Sequence, residues 1–283
     1  MSEVHYHARS GHQVKRLLGL SLGGAKSERT SLTIIDYYVR QQKAFVIDVV
    51  TEIGSEEDQT ADQVLIDLIK KSVPDGGIDI LAVDAPLTYP PCLPACDKDC
   101  HGYEKCKKPE VKWMRTQFLR AKQKNRKIKH FTPYSQRPVD LYVRYKYPNQ
   151  DVFQDETMGA NLAPQAVRMN YLKHFFKGIK LVEVWPKLVL YHLQKEFKLS
   201  KSEVMGYRNL ERGAHIRTRV LDQIVKRSDV FIYERDFKKY VMNMMAFDSL
   251  ICAWVALQCE LDRVVKFKSD LPLQSGWVQI PEL

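Results

Sequence analysis

ILAVDAPLTYPPC, residues 80–92, joins a short apolar segment to a single carboxylate and a proline-rich turn. Ile80 to Val83 are apolar, Asp84 follows directly, and Pro86 ends the segment because proline has no N–H to donate to a strand ladder. Open α/β sheets place their sites at the carboxyl ends of strands. The stretch therefore predicts an α/β fold with a polar site at Asp84. A turn-capping role for this aspartate is the alternative.

The residues on either side predict the rest of a sheet. Residues 14–22, 30–39 and 44–50 are apolar and rich in β-branched and aromatic side chains, as strands are. Residues 62–73 carry apolar side chains at helical spacing, and residues 179–186 form a further short apolar segment. The order β-β-β-α-β, followed by a later strand, predicts a mixed five-stranded sheet flanked by helices.

The composition of the chain differs between a predicted core and a segment inserted into it. Residues 14–86 and 179–265 carry the predicted strands and helices of the core. Residues 87–178 hold four cysteines, many prolines and a basic run, which predicts an insertion or subdomain. Residues 1–13 and 266–283 are predicted tails.

The chain is basic and has the composition of a globular protein. It has 283 residues, 45% of them apolar, and 44 Lys and Arg against 34 Asp and Glu, a formal net charge of +10. Positive charge of this size favours anionic partners such as nucleic acid, although a merely basic surface is the alternative. The first fifteen residues are polar, and no run approaches the roughly 18 apolar residues of a membrane span. We therefore expect a cytoplasmic protein without a membrane partner.

Asp84, Glu183 and Asp248 each interrupt or end an apolar segment. An unpaired carboxylate is costly to bury, and a divalent cation removes much of that cost. Two acids from strands and one from a late helix therefore predict a site for Mg²⁺ or Mn²⁺, where a pair of ions would activate water for phosphodiester cleavage. Two alternatives stay open: Glu183 pairs with Lys187, and Asp248 caps the start of its helix.

Four segments carry a resemblance to a known family. They are GLSLGGAKSERTSLTIIDYY (19–38), LAVDAPLTYP (81–90), VEVWPKLVL (182–190) and FDSLICAWVA (247–256). In this order they resemble the family named domain of unknown function 429, whose members are regarded as predicted nucleases of the RNase H-like fold. The resemblance implies an RNase H-like sheet, and it assigns the second, third and fourth active-site acids to Asp84, Glu183 and Asp248.

The first acid of such sites is replaced here. The family's first strand usually ends on an aspartate, and the matching position is Ser21. A serine can hydrogen-bond a metal-bound water but brings no charge to hold the ion. We therefore expect a site that uses one ion, that recruits Asp36 from the next strand, or that has lost catalysis.

Four cysteines lie within fifteen residues of the predicted insertion. They are Cys92, Cys96, Cys100 and Cys106, with His101 as a spare ligand. In a reducing cytoplasm clustered cysteines are typical of metal sites, and four thiolates can close a tetrahedral zinc site or hold a [4Fe–4S] cluster. We expect structural zinc, whose binding would stabilise a loop with no evident hydrophobic core. Buried free cysteines are the alternative.

Basic residues predict the surfaces that would bind phosphates. Those in the insertion lie near Trp113, Phe118 and Phe131, whose rings could stack on unpaired bases. A second basic group follows Tyr207. The candidates for nucleic-acid binding are Arg115, Arg120, Lys124, Arg126, Lys127, Arg217 and Arg219. A solvated helix face is the alternative for the first group.

The sequence thus predicts a divalent-metal-dependent nuclease that acts on DNA or RNA with water as the nucleophile. Asp84 and Asp248 would hold the ion, and Glu183 would complete its shell. The first rival is a nucleic-acid-binding protein without catalysis, which Ser21 motivates. The second is an actin-like nucleotide-dependent phosphotransferase or ATPase, motivated by the glycine turn at Gly23. The third is an interaction scaffold built on the cysteine loop.

Overall fold

A computed structural model gives the fold. It describes residues 14–73, 77–94, 99–123, 130–147, 156–159, 162–228, 230–266, 270–272 and 275–282. The predicted site residues that lie outside these ranges are Cys96, Lys124, Arg126 and Lys127.

The chain divides into two compact units. The first contains residues 1–85, 171–265 and 279–283. The second contains residues 86–170 and 266–278.

Six strands among the described residues form one mixed sheet in the first unit. They are β1 (Val14–Ser21), β2 (Ser31–Tyr38), β3 (Lys43–Val50), β4 (Ile80–Val83), β5 (Lys180–Glu183) and β6 (Val230–Phe231). Their order in space is β5-β4-β1-β2-β3-β6. The strands β1, β2 and β3 form an antiparallel meander, whereas β4 is parallel to β1, β5 to β4 and β6 to β3.

The predicted α/β class, with a mixed sheet flanked by helices, is confirmed. The predicted number of five strands is wrong, because β6 adds a sixth. Two residues, Val230 and Phe231, are too few to give an alternating sequence pattern, and they pair only with Ala44 and Phe45 of β3.

The helices of the described chain follow in sequence order. They are α1 (Ala61–Lys71), α2 (Pro109–Gln123), α3 (Pro138–Lys146), α4 (Leu162–Leu172), α5 (Pro186–His192), α6 (Lys201–Gly206), α7 (Gly213–Ser228), α8 (Glu234–Met242) and α9 (Met244–Glu260). A 3-10 turn at Lys173–Phe175 follows α4.

Helix α9 is the core helix of the first unit. It packs on β1, β2 and β4, and its residues 246–258 are buried. The contact with β1 is close because Gly19 has no side chain there: a methyl group at this position would overlap the backbone oxygen of Ser249 and the backbone nitrogen of Ala253. The hydroxyl of Ser249 also shares a 2.7 Å hydrogen bond with the hydroxyl of Thr33 on β2. Gly19 thus sets the position of α9 on the sheet.

Because α9 is apolar, its length and composition can be compared with those of a membrane-spanning helix. Among the described residues no single helix is long and apolar enough to cross a bilayer. Taken together, α8 and α9 have the length and apolar composition of a membrane span, but the two helices meet at a bend of 116°.

On the side of β3 that faces away from β2, side chains form hydrogen bonds with backbone groups of the strand. The N–H of Val49 donates to the carboxylate of Asp48 at 2.8 Å. The carbonyl of Val49 accepts a 3.3 Å bond from Nζ of Lys239 on α8. Neither bond is made to β2, which is the neighbour of β3 on its inner side.

The second unit has an apolar core of its own. Helices α2 and α3 bring together Val111, Met114, Phe118, Phe131 and Leu141, all of which are buried. The side chain of Cys106 packs against this cluster. No local sequence pattern indicated this core, because Phe131 follows a basic run and meets the residues of α2 only in the folded unit.

Candidate functional site

Three predicted site residues meet at one edge of the sheet. The strands β1, β4 and β5 are parallel neighbours, with Leu20 opposite Val83 and Val83 opposite Glu183. Ser21, Asp84 and Glu183 therefore lie at the carboxyl ends of adjacent strands. This is the edge at which open α/β sheets hold ligands.

The carboxylate of Asp84 is held by the end of β1. One oxygen, Oδ1, accepts a 2.7 Å bond from the backbone N–H of Leu22, and Oδ2 accepts a 2.7 Å bond from the hydroxyl of Ser21. Ser21 is fully buried, and Asp84 keeps part of its surface exposed. Ser21 thus positions the second acid.

Asp248 lies beyond the first turn of α9 and is fully buried. The hypothesis that it caps the helix is wrong: Asn243 is the N-cap, and its Oδ1 accepts bonds from the N–H groups of Met245 and Ala246 at 2.9 and 3.1 Å. Because Asp248 is not used as a cap, its carboxylate faces other side chains.

Two neighbouring residues hold that carboxylate. The hydroxyl of Tyr207 donates to Oδ1 of Asp248 at 2.9 Å, and the guanidinium of Arg208 forms an ion pair with Oδ2 at 2.7 Å. Arg208 Nε also donates to the Tyr207 hydroxyl at 2.8 Å, and its guanidinium carbon lies 5.5 Å from the centre of the Tyr207 ring. The Arg208 side chain is 43% exposed, so the ion pair reaches the surface.

The two carboxylates interact with each other. Burial and then the negative charge of Asp248 raise the pKa of Asp84 to about 7, against the opposing effects of the Leu22 N–H, the Ser21 hydroxyl and the Arg208 charge. Burial also raises the pKa of Asp248, and the positive charge of Arg208 opposes this rise. A buried pair of like charges is unfavourable unless a cation or a proton reaches it.

A second cation lies near Arg208. Lys187 follows Pro186 at the start of α5 and is partly buried. Burial, and then the positive charge of Arg208, lower the pKa of Lys187. Two positive groups that repel each other in this way would both gain from an anion placed beside them.

Glu183 is engaged elsewhere. It is almost fully buried, and its Oε1 accepts a 2.9 Å bond from Nε1 of Trp185. Across the described residues, no group of three or more His, Cys, Asp or Glu side chains is placed to hold a metal ion. Among the three predicted acids, the charge of Asp248 acts on the carboxylate of Asp84. Magnesium is often bound by one or two carboxylates together with substrate phosphates, so the oxygen ligands of this pair are of the type that a hard divalent ion prefers.

The predicted phosphate-binding arginines have structural contacts. Arg217 is buried, and it donates to the carbonyls of Val241 and Tyr207 at 2.7 and 2.5 Å. Arg219 pairs with Glu203 and donates to the carbonyl of Lys198 at 2.6 Å.

The basic residues of the second unit are placed differently from one another. Arg115 donates to the carbonyl of Tyr103 at 3.1 Å, whereas Arg120 is exposed on α2. Phe118 and Phe131, predicted to stack on bases, are buried in the apolar cluster.

The cysteine metal cluster is not seen in the described part of the chain. Cys100 and Cys106 are free thiols there, Cys92 is partly buried, and Cys106 packs on the apolar cluster. The fourth predicted ligand, Cys96, lies outside the described residues. The apolar cluster supplies the core that the sequence analysis found lacking in this region.

Tyr207, Arg208 and Lys187 were not among the predicted site residues. Tyr207 and Arg208 begin the basic segment from which Arg217 and Arg219 were chosen, and no spacing in that segment marks which arginine faces the acids. The overlap at Gly213, where a methyl group would meet the carbonyl of Tyr207, shows how tightly this segment folds on itself.

Comparison with family models, with curated proteins and with solved structures finds no match for this chain.

Proposed function

We propose that the protein is a divalent-metal-dependent nuclease that hydrolyses phosphodiester bonds in DNA or RNA at the Asp84–Asp248 pair. The observation that carries this proposal is the position of Asp84 at the carboxyl edge of the sheet, where Ser21 and Leu22 hold its carboxylate. The negative charge of buried Asp248 helps to raise the pKa of this group. Fixed, buried like charges cost folding free energy, and a divalent cation offsets that cost.

The chain's own residues would orient the ligands. The Ser21 hydroxyl and the Leu22 N–H fix both oxygens of Asp84, and the Tyr207 hydroxyl fixes Oδ1 of Asp248. A bound Mg²⁺ or Mn²⁺ would lower the pKa of a water nucleophile and polarise the phosphoryl oxygen. Ser21 then serves as a positioning residue.

Arg208 and Lys187 would bind the phosphate. Arg208 is charged and partly exposed, and guanidinium groups match phosphate oxygens in two parallel hydrogen bonds. Lys187 would add a second positive charge to the same group. Together they would offset the charge that accumulates on the phosphoryl oxygens during hydrolysis.

The strand order supports the finer assignment to an RNase H-like fold. An antiparallel β1-β2-β3 meander with β4 and β5 added in parallel at the β1 side is the arrangement that such folds use, and β6 is an addition to it. Membership of the domain of unknown function 429 family is proposed on the four sequence segments alone.

One observation favours a second candidate, nucleic-acid binding without hydrolysis. Arg208 already neutralises Asp248, so the buried acid has a counter-ion without any metal. In this alternative the acids hold Arg208 in place, and Arg208 binds phosphate. The glycine turn that motivated the actin-like alternative lies between β1 and β2, where the N–H of Ser27 donates to the carbonyl of Gly24 at 3.0 Å.

Cleavage assays decide between these functions. Labelled single- and double-stranded DNA and RNA are incubated with the full-length protein in Mg²⁺, Mn²⁺ or EDTA. Asp84→Asn is the test variant, and Asp222→Asn, at an exposed position of α7, is the matched control. We expect cleavage that requires a divalent ion, that survives in the control and that falls at least about a hundredfold in the test variant. Binding without cleavage, equal in both variants, would reject the nuclease and support the binding protein.

A further inference from the structure

Four aromatic side chains form a continuous exposed row at the β3–β6 edge of the sheet. We call it the aromatic ladder: Tyr38, Phe45, Phe231 and Tyr233. Successive ring centres are 5.5 Å apart from Tyr38 to Phe45, 5.8 Å from Phe45 to Phe231 and 5.0 Å from Phe231 to Tyr233. Phe231 is 49% exposed and Tyr233 50% exposed, and the other two rings are partly exposed.

Strand pairing fixes the ladder. Phe45 lies opposite Phe231 in the parallel β3–β6 pair, and Tyr38 lies opposite Lys43 in the antiparallel β2–β3 pair. The rings therefore stand on the strands of the sheet, except Tyr233, which caps α8. Contiguous exposed apolar surface on a folded protein is typical of a binding site.

The charges around the ladder favour an anionic partner. Asp36, opposite Phe45, is paired with Arg16 at 2.7 Å, and Asp236 is buried and paired with Arg235 and Lys239. These pairs neutralise both acids.

Exposed positive groups outnumber the exposed acids that remain near the ladder. Lys43 is exposed beside Tyr38, and Arg40 is exposed in the turn between β2 and β3. Between residues 230 and 240, Glu234 is the one exposed acid and Lys238 is an exposed lysine outside the ion pairs of Asp236. With the formal net charge of +10, this composition suits a partner that combines phosphates with flat apolar groups.

Single-stranded nucleic acid has both of these features. Its unpaired bases stack on aromatic side chains, and its phosphates are attracted to nearby lysines and arginines. In a duplex the faces of the bases are stacked on each other and are not accessible to protein rings. We propose that the aromatic ladder binds single-stranded DNA or RNA, with bases on Phe231 and Tyr233 and phosphates towards Lys43 and Arg40. This surface is separate from the carboxylate pair, and binding there does not require the acids to catalyse.

Fluorescence anisotropy with the full-length protein tests the ladder. The probes are a labelled oligothymidylate, a labelled oligouridylate and the duplex of oligothymidylate with oligoadenylate. The test variant is Phe231→Ala/Tyr233→Ala. The matched control is Tyr171→Ala/Phe175→Ala, which removes another exposed pair of rings, 51% and 40% exposed with centres 5.2 Å apart.

The expected result is a loss of single-strand affinity of about tenfold or more in the ladder variant and little change in the control pair, since stacking of bases on aromatic rings supplies much of the affinity of such sites. Circular dichroism and melting temperature should stay close to those of the wild type in both variants. Equal affinity of wild type and ladder variant for the single strands would overturn the proposal. So would self-association by sedimentation that is lost in the ladder variant, because the partner would then be a second copy of this chain.

The test is distinct from the cleavage assay. Failure of hydrolysis with ladder-dependent binding would reject the nuclease alone. Normal hydrolysis with unchanged binding in the ladder variant would reject the ladder alone.

Discussion

Asp84 makes the stability of the protein depend on pH in an unusual direction. Its pKa rises from 3.8 to about 7 on folding, chiefly through burial and the charge of Asp248. Between these two values the folded state keeps a proton that the unfolded state has lost. Stability in metal-free buffer should therefore fall as the pH rises from about 4 to about 7 and then level off.

The Asp84→Asn variant should not lose stability as the pH rises from about 4 to about 7. At pH values above about 7 we expect it to be more stable than the wild type by roughly 1–2 kcal/mol, which allows for the partial exposure of Asp84, and to match the wild type near pH 4. Urea unfolding across this pH range measures the difference, with Asp222→Asn as the control. A variant that is less stable than the wild type at high pH would mean that Asp84 is stabilised as a carboxylate.

Arg208 is the counter-ion of a fully buried acid. Removing its charge in Arg208→Gln should destabilise the protein by about 1–2 kcal/mol, a moderate cost because the guanidinium is 43% exposed. The same change removes the cation that competes with a metal at Asp248. The rise in melting temperature on adding Mn²⁺ should therefore be larger in Arg208→Gln than in the wild type.

Arg212→Gln, at an exposed position in the same segment, is the control for this experiment. An Mn²⁺ effect that is smaller in Arg208→Gln than in Arg212→Gln would contradict the competition between guanidinium and metal.

The acids of the candidate site could be identified from the sequence, whereas the cations near them could not. Asp84 was found because a carboxylate after an apolar run is unusual, and Asp248 because it lies in an apolar helix. Arg208 and Lys187 are ordinary surface residues in the sequence. Their role depends on how α5 and the α6–α7 connection approach the sheet, which no local pattern encodes.

At the scale of elements, the packing of α9 on β1 depends on one glycine. Gly19→Ala would place a methyl group inside the backbone of α9, so we expect a loss of about 3 kcal/mol or more in the free energy of unfolding. Gly24→Ala is the control, because the nearest atom to its added carbon is the Ser27 hydroxyl at 3.8 Å. Chemical unfolding of both variants gives the comparison. Similar stability of the two would show that α9 can move away from β1 at little cost.

The start of α9 depends on its cap. Asn243→Ala removes the acceptor of two backbone N–H groups and should cost about 1 kcal/mol, whereas Asn243→Asp should keep most of the stability because its side chain can accept the same bonds. Thermal unfolding distinguishes the two variants. Equal losses in both would mean that the amide nitrogen of Asn243, rather than its oxygen, matters.

Long elements with a regular pattern were predicted well, and short ones were not. The late helix predicted to carry Asp248 is α9 (Met244–Glu260), whose apolar surface extends along its whole length. Strand β6 has two residues and exists only because β3 is beside it. Its role in placing Phe231 on the aromatic ladder could not be read from the sequence.

At the scale of the whole molecule, the second unit is stabilised by apolar packing. Met114→Ala should lower the free energy of unfolding by about 2–4 kcal/mol because Met114 is fully buried in the cluster. Leu119→Ala, at an exposed position of the same helix, should cost little. Treatment with a chelator tests separately the metal that the sequence predicts at the cysteines. A large fall with the chelator, together with bound zinc or iron by mass spectrometry, would instead support the predicted cysteine metal site.

The outer edge of β3 has a consequence for how the protein behaves when it is concentrated. A bare sheet edge can pair with the edge of another molecule and start aggregation. At Val49 both main-chain groups are already bonded, one to the carboxylate of Asp48 and the other to the amine of Lys239. An incoming strand would have to break both bonds and displace two charged side chains. The residues that complete the edge of this sheet therefore also protect the protein from forming intermolecular β-structure.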